Sequence, residues 1–205
     1  MTYKTIQKPA CAEMIEKRSR FIGYIRPVRT QDEAVEFINE IRSKHWDATH
    51  NVYAYVIREE GVTRYSDDSE PQGTAGIPVL DCIRKRGLTD CVIVVTRYFG
   101  GTLLGAGGLV RAYSAAAKLA IDAANECEMV LCSVCELRCS YTLYGKLPSL
   151  IASCGGAVDQ QNFSDEVSLV FHLPAENLSK FNENLRELSL GKLQAKEKNQ
   201  SFFEK

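Results

Sequence analysis

The chain has 205 residues, with 25 basic and 26 acidic side chains and a formal net charge of −1, which suits one or two domains of ordinary size. A nearly neutral chain has no overall field that draws it to nucleic acid or to an anionic membrane. No apolar run approaches the about 20 residues of a membrane span, and the first ten residues lack the apolar core of a signal peptide, so we expect a cytoplasmic protein without membrane contact.

The first half of the chain predicts the strands of a mixed α/β domain. The extended segments are expected at 11–28, at 50–66 as two strands around a turn at Glu59–Gly61, and at 90–98. The last of these, "DCVIVVTRY", is a continuous apolar run, which is typical of a strand that is buried on both faces.

Three helices are predicted in the same half: 30–46, 75–86 and a long helix from about Gly107. Thr30 and Glu33 give the first helix a capping-box pattern, and Gly87 ends the second. The third has apolar and small residues at helical spacing, which predicts its core face: Leu109, Tyr113, Ala116, Ala117, Ala120 and Ala124.

The second half predicts the order strand, helix, strand, strand, helix, strand, which is that of the ferredoxin-like split βαβ fold. The expected elements are strand 129–140, helix 143–154, strands 157–163 and 166–173, helix 175–189 and strand 191–201. We expect the two helices to cover one face of a four-stranded antiparallel sheet. The fold class is therefore α+β in two domains, with a boundary between residues 124 and 130.

Eight cysteines raise the question of disulfides or metal. The stretch "CSVCELRC" places Cys132, Cys135 and Cys139 in a predicted strand, but a zinc site usually takes its four ligands from two paired clusters, and no second pair follows. A disulfide framework is not expected without a secretion signal. We expect reduced thiols, no metal and no cofactor.

A glycine-rich stretch, "VVTRYFGGTLLGAGGLVRAY", joins the apolar strand to the long helix. Its five glycines are Gly100, Gly101, Gly105, Gly107 and Gly108. Such a turn can aim backbone N–H groups at an anion. The stretch lacks the lysine of a P-loop and the last glycine of the dinucleotide fingerprint, so nucleotide hydrolysis is not expected. The alternatives are close packing of the helix on the sheet and contact with a phosphate.

On the phosphate hypothesis, Arg97 and Arg111 add two charges around the start of the helix, and Tyr98 or Phe99 supplies a stacking face. Arg97 is then a surface cation whose removal weakens binding and leaves stability nearly unchanged. Gly101 is then a position of close approach and positive φ, where valine destabilises the fold.

An acidic turn, "TRYSDDSEPQGTAGIP", precedes the second helix. Three carboxylates cluster there before Gly73 and Thr74, and with His45 or His50 as a nitrogen ligand they offer a divalent-metal ligand set: Asp67, Asp68 and Glu70. The alternative is a solvated turn that caps the next helix, whose N-terminus favours negative charge. We favour the cap.

The run "KRSRFIGYIRPVR" contains no acidic residue and interleaves cations with aromatic rings: Lys17, Arg18 and Arg20 with Phe21 and Tyr24. Cations beside aromatic rings suit a nucleic-acid backbone with stacked bases. The alternative is a charged strand edge that discourages aggregation. The sequence does not decide between them.

Four stretches together resemble the bacterial, YigZ-type members of the IMPACT family. In chain order they are "KRSRFIGY", "ATHNVYAY", "SDDSEPQGTAG" and "VVTRYFGGTLLGAGGLVRAY", which span most of residues 17–113. The one departure is Ser69, where the family pattern would have glycine in the acidic turn. The second half resembles the small C-terminal domain of that family, with weaker motifs.

The resemblance implies the fold of each part. Residues 1–127 are expected to form an IMPACT N-terminal domain similar to the second domain of ribosomal protein S5. Residues 128–205 are expected to form a ferredoxin-like domain similar to the last domain of elongation factor G. Eukaryotic relatives carry another accessory domain and regulate translation by binding the activator of a kinase that senses uncharged tRNA. That domain is missing here, so only a link to translation is carried over.

Three functions remain as hypotheses. The first, which we favour, is a non-enzymatic protein that binds RNA, the ribosome or a translation factor. The second is a protein-interaction module in which an apolar, aromatic surface around Phe99 docks a partner. The third is a metal-dependent hydrolase that uses the acidic turn and His50. Nothing in the sequence indicates the oligomeric state.

Overall fold

The computed structural model describes all 205 residues. The chain divides into two compact units: Tyr3–Glu128, and Met129–Lys205 together with Met1–Thr2. No helix is both long enough and apolar enough to cross a membrane.

The elements are as follows. The strands are β1 Thr2–Ile6, β2 Ala10–Glu16, β3 Ser19–Pro27, β4 His50–Ile57, β5 Val62–Ser66, β6 Cys91–Tyr98, β7 Glu126–Cys139, β8 Ala157–Phe163, β9 Val167–Pro174 and β10 Lys196–Glu204. The helices are α1 Gln31–Lys44, α2 Gly76–Arg86, α3 Ala106–Ala124, α4 Tyr141–Tyr144, α5 Leu147–Ser153 and α6 Leu178–Leu188.

The first unit is built on an antiparallel sheet in the order β2-β3-β6-β4-β5. The central strand β6 is buried on both faces, as its continuous apolar run predicted. Ile93 and Val95 pack in one cluster with residues of α2 and α3. Val92 and Val94 pack in another with residues of α1. The strand therefore delivers Arg97 into the interior of the unit, whereas Tyr98 at its end is only partly buried.

The predicted helix boundaries in this unit are confirmed to within one or two residues. Thr30 caps α1 by accepting a hydrogen bond from the Glu33 amide at 3.2 Å. The Glu33 carboxylate reaches the amide of Arg29 at 2.7 Å, one residue before the cap. Gly87 ends α2 in the left-handed conformation, with a φ of 67°.

The second unit has the predicted order of elements, and its sheet runs β10-β7-β9-β8 with antiparallel pairs. Side chains of α5 and α6 pack with Leu137, Leu169 and Phe171 in one core. The strand and helix order of the split βαβ fold is therefore confirmed.

Three details of this half differ from the prediction. The sheet has five strands and not four. The single helix expected at 143–154 is two short helices separated at Gly145–Lys146, with a proline at the start of the second. The last strand begins at Lys196 and not at 191, since Leu190 and Gly191 have positive φ and belong to the preceding turn.

All eight cysteines are free thiols. Cys135 and Cys139 share the core face of β7 with Leu137, whereas the alternation of the strand places Cys132 on the opposite face. Burial raises the pKa of the Cys135 thiol to about 11, so the thiol is protonated at neutral pH. No three His, Cys, Asp or Glu residues come together as a metal site.

Candidate functional site

A pocket of about 430 Å³ in the first unit brings together the end of β6, the start of α3 and the acidic turn. Its lining combines polar groups with apolar walls: Thr49, His50, Ser69, Glu70, Pro71, Arg97, Phe99, Leu103, Leu104, Gly105, Ala106 and Leu109. Strand pairing explains part of this grouping, because Arg97 of β6 lies directly opposite His50 of β4 and Phe21 of β3.

A buried ion pair lies at the base of this pocket. Glu70 and Arg97 are 3% and 6% exposed at their side chains, and Glu70 Oε1 accepts a hydrogen bond from Arg97 Nη1 at 2.6 Å. The same oxygen accepts from the Tyr113 hydroxyl at 2.7 Å and lies 3.7 Å from His50 Nε2. Burial, and then the Glu70 carboxylate, raise the pKa of Tyr113, so its hydroxyl remains a donor.

The interpretation of Arg97 as a surface cation is wrong. Its guanidinium is held 5.5 Å from the ring centres of both Phe21 and Phe99, and its charge is compensated by Glu70. A charge that is paired inside the fold does not attract a phosphate at the surface. The buried Nε–H of Arg97 has no hydrogen-bond partner.

The glycines of the stretch differ in what they contact, and the close approach predicted for Gly101 is found at its neighbour. Gly100 is the position of close approach: a Cβ there would overlap the backbone carbonyl of Arg18 and the amide nitrogen of Ser19. Gly101 has a φ of 80°, but a Cβ would meet nothing within 4 Å, so only the positive-φ part of its prediction agrees with the structure. At Gly107 a Cβ would make ordinary contact with Arg111, and at Gly108 a tight one with Leu104.

The start of α3 has no cap. Gly105 occupies the N-cap position with no side-chain hydrogen bond, and the first turn contains no acidic residue. The first backbone N–H groups of a 19-residue helix therefore have no side-chain acceptor, and the helix dipole adds partial positive charge there. The exposed Arg111 lies within the next two turns.

The acidic turn caps the start of α2. Its carboxylates do not form the divalent-metal site that was the alternative interpretation. The Asp67 carboxylate accepts hydrogen bonds from the amides of Gly73, Ala75 and Gly76 at 2.9, 3.1 and 2.7 Å. Asp68 accepts from the amide of Asn51. Since Glu70 faces Arg97, the three carboxylates serve three separate partners and do not converge.

The other residues of the turn shape it. His50 Nδ1 lies 2.7 Å from the carbonyl oxygen of Asp68, so this nitrogen carries the proton. The Thr74 hydroxyl donates to the carbonyl of Pro71 at 2.6 Å. Ser69 has a φ of 71°, a conformation that glycine adopts without strain, which accounts for the glycine expected at this position.

Removing the Asp67 side chain is expected to weaken the start of α2. We expect Asp67→Ala to lower the free energy of unfolding by about 1–2 kcal/mol, because three amides lose their acceptor and the helix dipole loses a favourable charge. Urea denaturation measures this loss. Glu36→Ala, which removes an exposed carboxylate from α1, is the control, and equal stability of the two variants would contradict the cap.

The basic run is split by the structure into exposed and buried parts. Lys17 and Arg18 form the exposed two-residue turn between β2 and β3, with φ of 45° and 68°. Arg20 is exposed, pairs with Glu13 at 2.7 Å and lies over the ring of Tyr98. These cations remain candidates for contact with a partner.

The predicted stacking rings differ in their exposure. Phe21 is fully buried and packs edge-to-face on Tyr113. Tyr24 and Tyr98 are partly buried, and their hydroxyls lie 2.7 and 2.8 Å from the ring nitrogens of His45. Phe99 differs, since 46% of it is exposed, and it is the ring that a partner can reach.

Sequence reasoning missed several contributors to this region. Leu103 is 82% exposed beside the pocket, and no pattern singled it out. His45 was considered only as a metal ligand, yet it links two tyrosines. Tyr113 was assigned to the core face of α3; its hydroxyl was the available signal, because a buried hydroxyl requires a partner.

The chain is similar to known protein families and to individual bacterial proteins. The Impact N-terminal domain matches residues 17–121, and a domain of unknown function, DUF1949, matches residues 137–192. The chain is 37% identical to the IMPACT family member YvyE of Bacillus subtilis, over all of this chain and 94% of that protein. It is 33% identical to the IMPACT family member YigZ of Escherichia coli, over 87% of this chain and 89% of the relative.

The chain is also similar to part of a mammalian protein and to a solved crystal structure. Protein IMPACT of Rattus norvegicus is 33% identical over 46% of this chain and 31% of its own length, so the match covers only part of each. A crystal structure described as a hypothetical protein is 30% identical, with a TM-score of 0.62 over 97% of this chain and 98% of that one.

Proposed function

Since this chain belongs to the IMPACT family, we propose that it is a non-enzymatic protein that binds RNA, including ribosomal RNA, and acts in the regulation of translation. The binding surface is the hairpin turn Lys17–Arg18, the neighbouring Arg20, the ring of Phe99, and Arg111 near the open start of α3. We call these residues the basic surface.

The observation that carries this proposal is the turn between β2 and β3. Its two residues both have positive φ, as in the type I′ turn that Asn-Gly favours, yet the residues are Lys17 and Arg18. Non-glycine residues in this region are strained by about 1 kcal/mol or more each. The Arg18 backbone packs against Gly100, which holds the turn in place. A strained turn that presents two cations supports a role in binding a polyanion.

The charges around the basic surface set the expected strength of RNA binding. Arg20 is partly neutralised by Glu13, and the chain as a whole is almost neutral. Binding therefore rests on a few phosphate contacts and not on a long-range field. Arg97 does not belong to the basic surface, because its charge is paired with Glu70 inside the fold.

The test replaces the turn by the residues that its geometry prefers, Lys17→Asn with Arg18→Gly. We expect RNA affinity to fall about 25-fold at 0.1 M salt, since each lost contact with a single strand removes about 0.7 unit from the log–log salt dependence. We expect the free energy of unfolding to rise by about 1 kcal/mol, because the strain is relieved. Filter binding over a salt series and urea denaturation measure the two effects.

The control is Arg84→Ala with Lys85→Ala, which removes the same charge from the exposed side of α2. This variant should bind RNA as the wild type does. The proposal fails if the wild type shows no salt-dependent RNA binding, or if the turn variant and the control variant bind equally well.

A second candidate function, docking of a protein partner, is favoured by one observation. Phe99 and Leu103 are both exposed and line the same pocket, which gives an apolar patch of the kind that marks interaction sites. Co-sedimentation with ribosomes from a cell extract separates the two functions. Salt-labile binding that is lost in the turn variant favours RNA, whereas salt-resistant binding that is lost in Phe99→Ala favours a protein.

A further inference from the structure

We propose that the pocket at the start of α3 binds one ribonucleotide unit, with its phosphate at the helix N-terminus, its base on Phe99 and its ribose hydroxyls at Glu70 and His50. This inference deepens the proposed function, on which it rests for the class of ligand. The pocket would hold a free mononucleotide or the terminal nucleotide of an RNA.

Two independent features point to a ligand with acceptor oxygens, such as those of a phosphate. Gly105 and Ala106 line the pocket, and the helix that they begin is uncapped. Such an end binds phosphate through its free N–H groups and its dipole. Arg97 lines the same pocket, is buried, and has an Nε–H without a partner. A buried donor without an acceptor is uncommon in folded proteins, and an oxygen of a ligand would satisfy it.

Two acceptors in the pocket suit hydroxyl groups. Both hydrogen bonds to the Glu70 carboxylate go to Oε1, which leaves Oε2 without a donor from the protein. His50 donates through Nδ1 to the Asp68 carbonyl, so in the tautomer with one ring proton Nε2 is an acceptor. A pair of neighbouring ribose hydroxyls supplies the donors that these atoms lack, and an acidic residue at the ribose is a recurring feature of nucleotide sites.

The apolar wall suits a base. The ring of Phe99 is reachable from solvent on one side, and the Arg97 guanidinium lies 5.5 Å from the centre of this ring. Leu103, Leu104 and Leu109 complete the wall. Stacking on an aromatic ring is the usual way in which proteins hold an unpaired base. The volume of about 430 Å³ falls in the range of small-molecule sites.

The decisive variant is Ala106→Asp, which places a carboxylate in the first turn of α3. A negative charge there stabilises the helix, so the melting temperature should stay the same or rise. The same charge repels a phosphate, so calorimetry with the four ribonucleoside 5′-monophosphates and their 3′ isomers should show binding at least 10-fold weaker than to the wild type. Leu119→Glu, an equal change of charge on the exposed side of the same helix, should bind as the wild type does.

Further probes assign the parts of the nucleotide. Inorganic phosphate, the free nucleoside and the matching deoxyribonucleotide should each bind more weakly than the ribonucleotide, and equal binding of the deoxy form would overturn the ribose contact. An oligoribonucleotide with a terminal phosphate, compared with a circular RNA of the same sequence, identifies the terminal nucleotide as the source. If the free mononucleotide binds more tightly than either RNA, the ligand of the pocket is a small molecule and not an RNA end.

The failure of this inference is distinguishable from that of the proposed function. The turn variant should keep mononucleotide binding and lose salt-dependent binding of circular RNA. Ala106→Asp should lose mononucleotide binding, whereas its affinity for circular RNA should fall far less than that of the turn variant, because it adds one charge near Arg111 and leaves Lys17, Arg18 and Arg20 in place. If no mononucleotide and no phosphorylated end binds at millimolar concentration, or if Ala106→Asp binds them as well as the wild type does, the pocket is not a ribonucleotide site.

Discussion

Arg97→Ala is expected to destabilise the protein by about 3–5 kcal/mol, because it leaves the Glu70 carboxylate buried without its compensating charge. The two side chains are almost completely enclosed and are joined at 2.6 Å. The guanidinium also fills the space between Phe21 and Phe99, so its removal opens a gap in the core. Urea denaturation followed by circular dichroism measures the loss.

An exposed pair of the same kind provides the control. Arg20 and Glu13 lie 2.7 Å apart, but nearly half of each side chain is exposed. Arg20→Ala should therefore cost less than about 1 kcal/mol. A loss in Arg97→Ala no larger than this would contradict the buried ion pair.

A second variant separates the cost of leaving the Glu70 carboxylate unpaired from the cost of the space that the Arg97 side chain leaves. In an Arg97→Met background, Glu70→Gln removes the charge and keeps an acceptor for the Tyr113 hydroxyl. The double variant should be more stable than Arg97→Met alone, since a neutral amide is less costly to bury than an unpaired carboxylate. Additive losses would show that the two side chains do not interact.

Gly100→Ala is expected to cost about 3 kcal/mol, at the upper end of the effects of overpacking, because the new methyl group overlaps backbone atoms that cannot rotate away. The Gly100 amide also donates to the Ser19 hydroxyl at 3.2 Å, so the two segments are held together at this point. The chain relieves the overlap only by moving the turn between β2 and β3. Amide exchange at Lys17, Arg18 and Ser19 should therefore accelerate together with the loss of stability.

The neighbouring glycine is the matched control. Gly101→Ala meets open space but keeps a positive φ, so only backbone strain of about 1 kcal/mol is expected. Exchange at the turn should stay as it is in the wild type. Equal effects of the two substitutions would show that Gly100 is required for its backbone conformation and not for the contact with Arg18.

The sequence by itself determined most of the elements of this fold. The apolar run at 91–98, the capping residues of α1 and the glycine after α2 are local signals, and each acts within a few residues of the structure that it specifies. The order of elements in the second half was readable for the same reason. Where a local signal was interrupted, as at Gly145–Lys146 and before Lys196, the predicted boundaries were wrong.

The tertiary structure alone decided which charges are exposed. Arg97 meets Glu70 across 27 residues of chain, and Gly100 meets Arg18 across more than 80. These meetings depend on the pairing of β3 and β4 with β6, which places His50 and Phe21 opposite Arg97. A sequence pattern records the type of each residue and its local spacing, but burial and charge pairing arise between segments that only strand register brings together. A shift of one residue in that register would move Arg97 to the other face of the sheet and away from Glu70, because side chains alternate along a strand.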